Sequence, residues 1–310
     1  MRKFITLLVI AVTALTSCKH EYEKAAGGTI YIKYTNNDGP KIKDGDFVAV
    51  NIIAKTDLDS LIGNTYEFGF PKVVIVRPFF KGDFQDALKL MTTGDSLSVK
   101  MDDDSIFKKG PRPASFKGKY IIYTMKVQKV IPKGKMTDKE LQAKAWAYIG
   151  TLTTVLKKEE PVKIKKYIDD NKLNAAKTDS GLYYVINKKG EGPLAVAGDT
   201  VVINYTAGLT NGKIFDTNIK ADALKAKLPP PAIPYNPIRI PVGQKRVIPG
   251  WDQGFLLLNK GAHATFIIPS KLAYDADGHI PVGPYCPLFT YIEVVDIIHH
   301  KPGAVNPAKK

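Results

Sequence analysis

Tyr205, the pair Phe215-Asp216, the run Val247-Ile248-Pro249-Gly250-Trp251 and the pair Ala273-Tyr274 gather aromatic and aliphatic side chains around a single carboxylate. Together they would build an apolar pocket with little reactive chemistry. No nucleophile with a nearby base, no metal-ligand cluster and no phosphate-cradling loop accompanies them, so neither a cofactor nor a metal is expected. Such a pocket still accelerates a reaction whose transition state is less polar than its ground state. Rotation about an X-Pro amide is one, because twisting the bond destroys its resonance and its charge separation. Taken singly, each residue has a plainer reading. A Phe or Trp is ordinarily core, and Asp216 follows Asn211-Gly212, a strong hairpin signal. Only the joint pattern points to a site.

The elements that would position these residues occur twice. Gly45-Asp46-Phe47-Val48-Ala49-Val50 and Gly198-Asp199-Thr200-Val201-Val202-Ile203 each read as a turn feeding a β-rich strand. Gly94-Asp95-Ser96-Leu97-Ser98-Val99 corresponds in the same way to Gly261-Ala262-His263-Ala264-Thr265-Phe266, and the strand from Tyr120 to Val127 to the segment from Pro287 to Val294. Three matches in one order imply a duplicated domain. Before each second-strand glycine lies a short amphipathic helix, near Phe84 in the first copy and Trp251 in the second. One short helix among several strands packs into the concave face of an antiparallel sheet, so the expected fold is α+β, two sheets each wrapped around a helix.

Between the copies, Thr137-Asp138-Lys139-Glu140 matches a capping box and opens a helical pattern through Leu141, Ala145, Tyr148, Ile149 and Leu152. Pro161 is expected to interrupt it, with a second helical stretch following through Ile164, Tyr167 and Ile168. The apolar face must be covered, by a domain or by a second chain, which leaves open a homodimer through the linker helices or the N-terminal domain.

At the N-terminus, Arg2 and Lys3 precede an apolar stretch from Phe4 to Val12 that is too short to span a bilayer and stay there. It reads as an export signal. Its end, Leu15-Thr16-Ser17-Cys18, resembles the lipobox of bacterial lipoproteins. That resemblance implies cleavage before Cys18 and acylation of its thiol, with residues 1–17 as signal peptide and 18–28 as a lipid-anchored tether. Cys286 is then the remaining thiol, so no intramolecular disulfide is available, and Pro284-Tyr285-Cys286-Pro287 supplies no base to activate it. The net charge of +15 is spread along the chain and interleaved with acids, as in Lys157-Lys158-Glu159-Glu160. Without a zinc-finger, helix-turn-helix or RNA-binding signature it argues for a solvated face beside an anionic membrane, and nucleic acid is not an expected partner. The Asp102-Asp103-Asp104 run lacks the spacing of an EF-hand loop and reads as a solvated loop. His299-His300 reads as an exposed tail.

The second copy, from Ser180-Gly181-Leu182-Tyr183 to Val294-Val295-Asp296-Ile297, resembles an FKBP-type peptidyl-prolyl cis-trans isomerase domain. The marks are Tyr205-Thr206-Ala207-Gly208, Gly212-Lys213-Ile214-Phe215-Asp216, the segment from Gly243 to Trp251, and Pro269-Ser270-Lys271-Leu272-Ala273-Tyr274. The resemblance implies a folding-assisting isomerase in a bacterial cell envelope, on the periplasmic or surface face of the outer membrane, acting on unfolded or proline-containing exported polypeptides. Residues 29–133 would be a degenerate domain of the same fold, 134–178 a helical linker, 179–300 the isomerase domain and 301–310 a tail. By position in the family's pattern, Trp251 is the floor under the proline ring, with Phe215 and Val247 among the walls. The Ile248 backbone N–H and the Tyr274 hydroxyl hold substrate carbonyls. Asp216 sits by the twisting amide, oriented by Tyr205.

Three positions depart from the family. Thr290 stands where the last strand carries an aromatic, Ile238 where a Phe wall is usual, and Asp275 where glycine often follows the tyrosine. A segment between Asp216 and Ile238, proline-rich over Pro229-Pro230-Pro231-Ala232-Ile233-Pro234, is an insertion. In the first copy Ile52 replaces Tyr205, Phe84 most nearly matches Trp251, and nothing resembles Ala273-Tyr274, so it is expected to keep the fold without activity. The alternative reading of the whole is a non-catalytic chaperone or dimeric scaffold that binds proline-containing segments.

Overall fold

Gly45 and Gly198 both take positive φ, 88° and 96°, a state that costs glycine little, and each releases the chain into a ten-residue strand. The computed structural model describes residues 21–25, 27–107, 118–228, 234–279 and 281–300. The export segment, Cys18, residues 229–233 and the 301–310 tail lie outside the described residues.

In the N-terminal domain the order is β1 (Glu23–Lys24), β2 (Ile30–Lys33), β3 (Phe47–Thr56), β4 (Leu61–Asn64), α1 (Thr65–Phe68), β5 (Lys72–Ile75), α2 (Phe84–Leu88), β6 (Ser96–Asp102), α3 (Asp103–Ile106) and β7 (Tyr120–Ile131). The linker is α4 (Asp138–Asp170). The C-terminal domain follows with β8 (Ala176–Lys177), β9 (Tyr183–Lys188), β10 (Glu191–Leu194), β11 (Thr200–Leu209), β12 (Ile214–Thr217), α5 (Lys220–Lys225), β13 (Ile238–Pro241), α6 (Pro249–Phe255), β14 (Asn259–Lys260), β15 (His263–Ile268) and β16 (Leu288–Ile298).

The two large sheets follow one path. The first runs β4-β3-β7-β6-β2-β1 with β5 also on β3, and the second runs β12-β11-β16-β15-β9-β8 with β13 also on β11. Every pairing is antiparallel, and the β3–β7 register shifts between Ala49 and Val50 where the β11–β16 register shifts between Val202 and Ile203. These are the same position in the repeat. A bulge bends its strand and increases twist, so both sheets curl in the same way around α2 and α6. Val48, Val50, Leu97 and Met125 close on Leu88 and Met91 in the first core. In the second, Val201, Ile203, Phe266 and Ile268 close on Phe255 and Leu258. Gly254 permits that approach, because a Cβ there would lie 2.4 Å from the Phe266 ring.

The linker corrects one expectation. The Thr137 and Glu140 capping box forms, but α4 continues through Pro161 without a break. Proline removes one helix hydrogen bond, and packing on both sides of it holds the helix together. Glu160 accepts hydrogen bonds from the backbone N–H and the hydroxyl of Ser270, while Ile164 and Tyr167 pack on Ile267 and Phe289. At the other end Leu141 and Ala145 cover Phe47 and Ala49. These sheet residues alternate with the inward ones, so α4 covers the outer faces of both sheets. The domains cover the apolar face at both ends of α4, while Trp146, Val155 and Val162 remain exposed.

Further differences are local. β1 falls in the segment read as a tether, and β8 in the segment read as linker. Both are two-residue edge pairings that carry no compositional signal. Asp102 caps α3 and Asp103 is buried, so the acidic run is a helix start and not a solvated loop. His299 and His300 are not a free tail. The His299 ring pairs with Asp199 at 2.8 Å, and the His300 N–H donates to the same carboxylate at 2.8 Å. No described helix is long and apolar enough to cross a membrane.

Candidate functional site

Strand β11 points Val201 and Ile203 into the core, and by the same alternation Tyr205 and Ala207 continue that face to the end of the sheet. There the chain assembles a cavity of about 250 Å³ lined by Tyr205, Ala207, Phe215, Asp216, Arg246, Val247, Ile248, Trp251, Tyr274, Leu288 and Thr290. Each comes from a different constraint. Phe215 and Asp216 sit on the edge strand β12, where Asp216 pairs with Ala207. Val247 and Ile248 lie on the loop entering α6, and the Asp252 carboxylate folds that loop back by accepting from the amides of Gly243 and Lys245 at 3.1 and 2.9 Å. Ile248 is the N-cap residue of α6 and its carbonyl accepts from the Trp251 N–H at 2.9 Å. Tyr274 follows a single 3-10 turn, Ser270–Leu272.

Trp251, 8% exposed, forms the floor. Its ring stands edge-on to Tyr205 with centroids 5.0 Å apart at 73°, and Phe255 backs it at 5.7 Å. The Tyr205 hydroxyl donates to Asp216 Oδ2 at 2.8 Å. Burial first, then the Asp216 charge and that hydrogen bond, push the Tyr205 phenol far above its ordinary value. Burial and the same carboxylate also raise Tyr274. Both hydroxyls therefore remain protonated at neutral pH, beside an acid whose side chain is exposed at the rim. Two polar atoms on residues that line the cavity, Trp251 Nε1 and Thr290 Oγ1, are buried without a hydrogen-bond partner among the described residues. Asp102, Asp103 and Asp104 are the grouping among the described residues that could approach one metal ion, and they lie in the other domain.

The stretch 192–294 matches the family model described as FKBP-type peptidyl-prolyl cis-trans isomerase. These residues form an FKBP-type domain. It is 39% identical over 132 residues to the probable FKBP-type peptidyl-prolyl cis-trans isomerase FkpA of Neisseria meningitidis serogroup B, covering 41% of this chain and 43% of that one. It is 26% identical over 256 residues to FkpA of Escherichia coli O6:H1, covering 72% of this chain and 86% of the relative. The crystal structure of FkpA from Escherichia coli aligns with 53% of this chain and 74% of its own, at 25% identity and a TM-score of 0.37. The chain spans about half the length of the bacterial relatives that it matches at 32–39% identity.

Within the FKBP-type domain most of the expected residues converge. Tyr205, Phe215, Asp216, Val247, Ile248, Trp251, Tyr274 and Thr290 all line the one cavity. Ile238 does not. It pairs with Ile203 in β13 and packs against the core, outside the lining set, because its strand is held along β11 short of the cavity end. Thr290 does face inward, while Phe289 and Tyr291 face α4, where Phe289 stacks on Tyr167 at 5.1 Å. Asp275 takes φ 46°, the left-handed region that favours glycine. Cys286 is half-buried and burial pushes its thiol up to about 11, away from nucleophilic use.

Several contributors were not singled out from sequence. Leu288 was available by counting two back from Thr290 along the strand. Asn218 had no such signal: its side chain accepts from the Tyr205 N–H at 2.7 Å and donates to the Ile203 and Asn236 carbonyls at 3.0 and 2.9 Å. It ties both ends of the insertion to the strand that carries Tyr205.

Proposed function

We propose that the C-terminal FKBP-type domain catalyses cis-trans isomerisation of X-Pro amides in exported polypeptides, and that the N-terminal domain has the fold without the reaction. The observation that carries this reading is the Tyr205–Asp216 hydrogen bond standing over the Trp251 floor, in an open-mouthed, mainly apolar cavity whose lining holds no nucleophile and base pair. Amide rotation meets a barrier of about 18–20 kcal/mol. In the twisted state the carbonyl oxygen carries less charge and the nitrogen becomes amine-like, so removal from water favours the transition state over the planar amide. About 1.4 kcal/mol of that preference is tenfold in rate.

The roles follow from position. Trp251 receives the proline ring, Tyr205, Phe215, Val247 and Ile248 wall it, and the Ile248 N–H and Tyr274 hydroxyl receive substrate carbonyls. Asp216, fixed by Tyr205, faces the amide as it twists. The export-type N-terminus and Cys18 support placement in a bacterial cell envelope, lipid-anchored to a membrane. The hairpin between β3 and β4 favours a second reading. It presents Leu58, 65% exposed, with Leu61 and Ile62 also exposed and Tyr66 of α1 exposed close by in the chain, an apolar surface suited to holding unfolded segments without catalysis. An isomerisation assay on a short X-Pro peptide separates the two. The expected result is catalysis above the uncatalysed rate. Background rate together with intact suppression of client aggregation would overturn the enzymatic reading.

A further inference from the structure

Among the described residues, helix α1 of the N-terminal domain touches the FKBP-type domain beside two elements that carry polar groups of the cavity. Asp216 stands on the edge strand β12, joined to the sheet by three register pairs to β11. Tyr274 lies in the long irregular connection from β15 to β16, which is held internally by the His279–Val282 bridge and by turn hydrogen bonds from the Gly278 N–H to the Tyr274 carbonyl at 3.1 Å and from the Tyr285 N–H to the Asp275 carbonyl at 2.8 Å. Edge strands and irregular connections open locally more readily than central strands. Helix α1 reaches both. The Glu67 carboxylate pairs with the Lys213 ammonium, one residue before β12 begins, and Asn211 Nδ2 donates to the Glu67 carbonyl at 3.2 Å. The same ammonium lies 5.4 Å from the centre of the Phe68 ring. Phe68 packs against the C-terminal core, and its carbonyl and Cβ lie 3.0 and 3.2 Å from where a Cβ on Gly283 would stand. A side chain there would press α1 back by a few tenths of an ångström. Gly283 follows Val282, whose backbone is paired with His279, and the His279 ring stacks on Tyr274 at 5.0 Å and 21°. Behind α1, its αL cap Gly69 stands 3.5 Å, measured from an added Cβ, from Leu156 of α4.

We propose that α1, through Glu67 and Phe68, is a clamp by which the degenerate domain fixes the spacing of Asp216 and Tyr274 across the cavity. This rests on the isomerase reading of that site. Glu67 and Phe68 are positioning residues: they touch Lys213 and Gly283, not the cavity. Fixing an edge strand and an irregular connection before substrate arrives removes an ordering cost from binding, and misplacement by about 1 Å costs up to about a hundredfold in rate.

The test uses the full chain. Glu67→Lys opposes Lys213 with a second cation, and kcat/KM for an X-Pro peptide is expected to fall about tenfold, through both a lower kcat and a higher KM. The charge swap Glu67→Lys with Lys213→Glu restores it to within about twofold of the parent. Phe68→Ala is expected to match the single charge variant. A merely structural contact predicts lower unfolding midpoints with kcat/KM unchanged per folded molecule, and that result overturns the clamp. If the parent chain shows no isomerisation, the isomerase reading fails by itself. The clamp is then read from Trp251 fluorescence on peptide binding in a Trp146→Phe background. Weaker binding in Glu67→Lys that the swap restores supports it, and unchanged binding overturns it.

Discussion

The two domains share a backbone and part company where a cavity would open. The likeness extends to a buried carboxylate. Asp46 accepts from the amides of Lys43 and Lys133, both at 2.8 Å, and Asp199 accepts from those of Val196 and His300 at 3.0 and 2.8 Å. In each case one amide is three residues upstream and the other lies just past the last strand. That clamp belongs to the fold. The cavity residues do not. Asp216 pairs with Ala207, and its counterpart opposite Ala54 is Gly63; Tyr205 is replaced by Ile52. On the last strand Thr290 lies opposite Ala207, whereas Tyr123 lies opposite Ala54. The Tyr123 ring stacks on Phe84 at 5.6 Å and 20°, so where one domain has a Trp floor beneath open space, the other has two rings in contact. Core, bulge and buried Asp suffice for the architecture, and the pocket is a separate set of side chains laid upon it.

The largest expected effects test that division directly. Trp251→Ala and Asp216→Leu are expected to lower kcat/KM by about tenfold to a hundredfold, while Phe84→Ala leaves it within about twofold. Phe84→Ala removes the partner of Tyr123 and is expected to lower the stability of the N-terminal domain by roughly 3 kcal/mol. Peptide isomerisation rates and thermal unfolding on the same variants decide the matter. Equal rate losses at Phe84 and Trp251 would break the comparison.

The shared architecture is legible in sequence because it rests on local rules: a glycine with positive φ, a β-branched strand, and alternation that sends Thr290 inward and Phe289 outward. The Tyr205 and Asp216 pair is legible for the same reason, since antiparallel pairing of β11 with β12 fixes which residues stand side by side. Long-range contacts carry no such pattern. Pro161 inside α4 reads as a break until Glu160 is seen on Ser270 and Tyr167 on Phe289. Glu67 and Lys213 are 146 residues apart in the chain, and nothing near either announces the other. Ile238 illustrates the complementary failure. Its position in the family's pattern placed it in the pocket wall, and the register of β13 on β11 sets it half-buried against the core, outside the cavity lining.

A smaller effect is expected at Thr290, where the comparison turns on one residue. Its hydroxyl, 1% exposed, has no partner among the described residues. An unsatisfied buried hydroxyl costs about 1–3 kcal/mol, so Thr290→Val, which keeps the shape, is expected to raise stability by about 1 kcal/mol in a denaturant titration. Thr290→Phe brings an aromatic back against Trp251. Such a contact contributes about 1 kcal/mol, and if it forms in the bound state kcat/KM rises about fivefold. A fall instead would show that the cavity is sized for threonine and that the FKBP-type domain has settled on a different occupant.

The smallest effect concerns the carboxylates that the domains use for folding and not for chemistry. Burial alone would raise Asp199, but hydrogen bonds from Val196, His300 and His299 outweigh it and hold the carboxyl below its ordinary value. In the N-terminal domain Asp95 is depressed against the same opposing effect of burial, by the amides of Asn37 and Thr92 and the charges of Lys33 and Lys41. A carboxyl depressed in the folded state binds fewer protons there than in the unfolded chain. Its contribution is therefore complete above the unfolded value near 4 and is lost as pH falls through the folded one. Both domains should lose stability below about pH 4, each through its own aspartate. Asp199→Asn is expected to flatten the acid limb of the C-terminal transition and leave the N-terminal limb unchanged, with Asp95→Asn doing the converse. Separate transitions followed by Trp251 fluorescence and by tyrosine signals of the N-terminal domain would register this. A single limb that either substitution flattens throughout would mean that α1 and α4 couple the two domains into one cooperative unit.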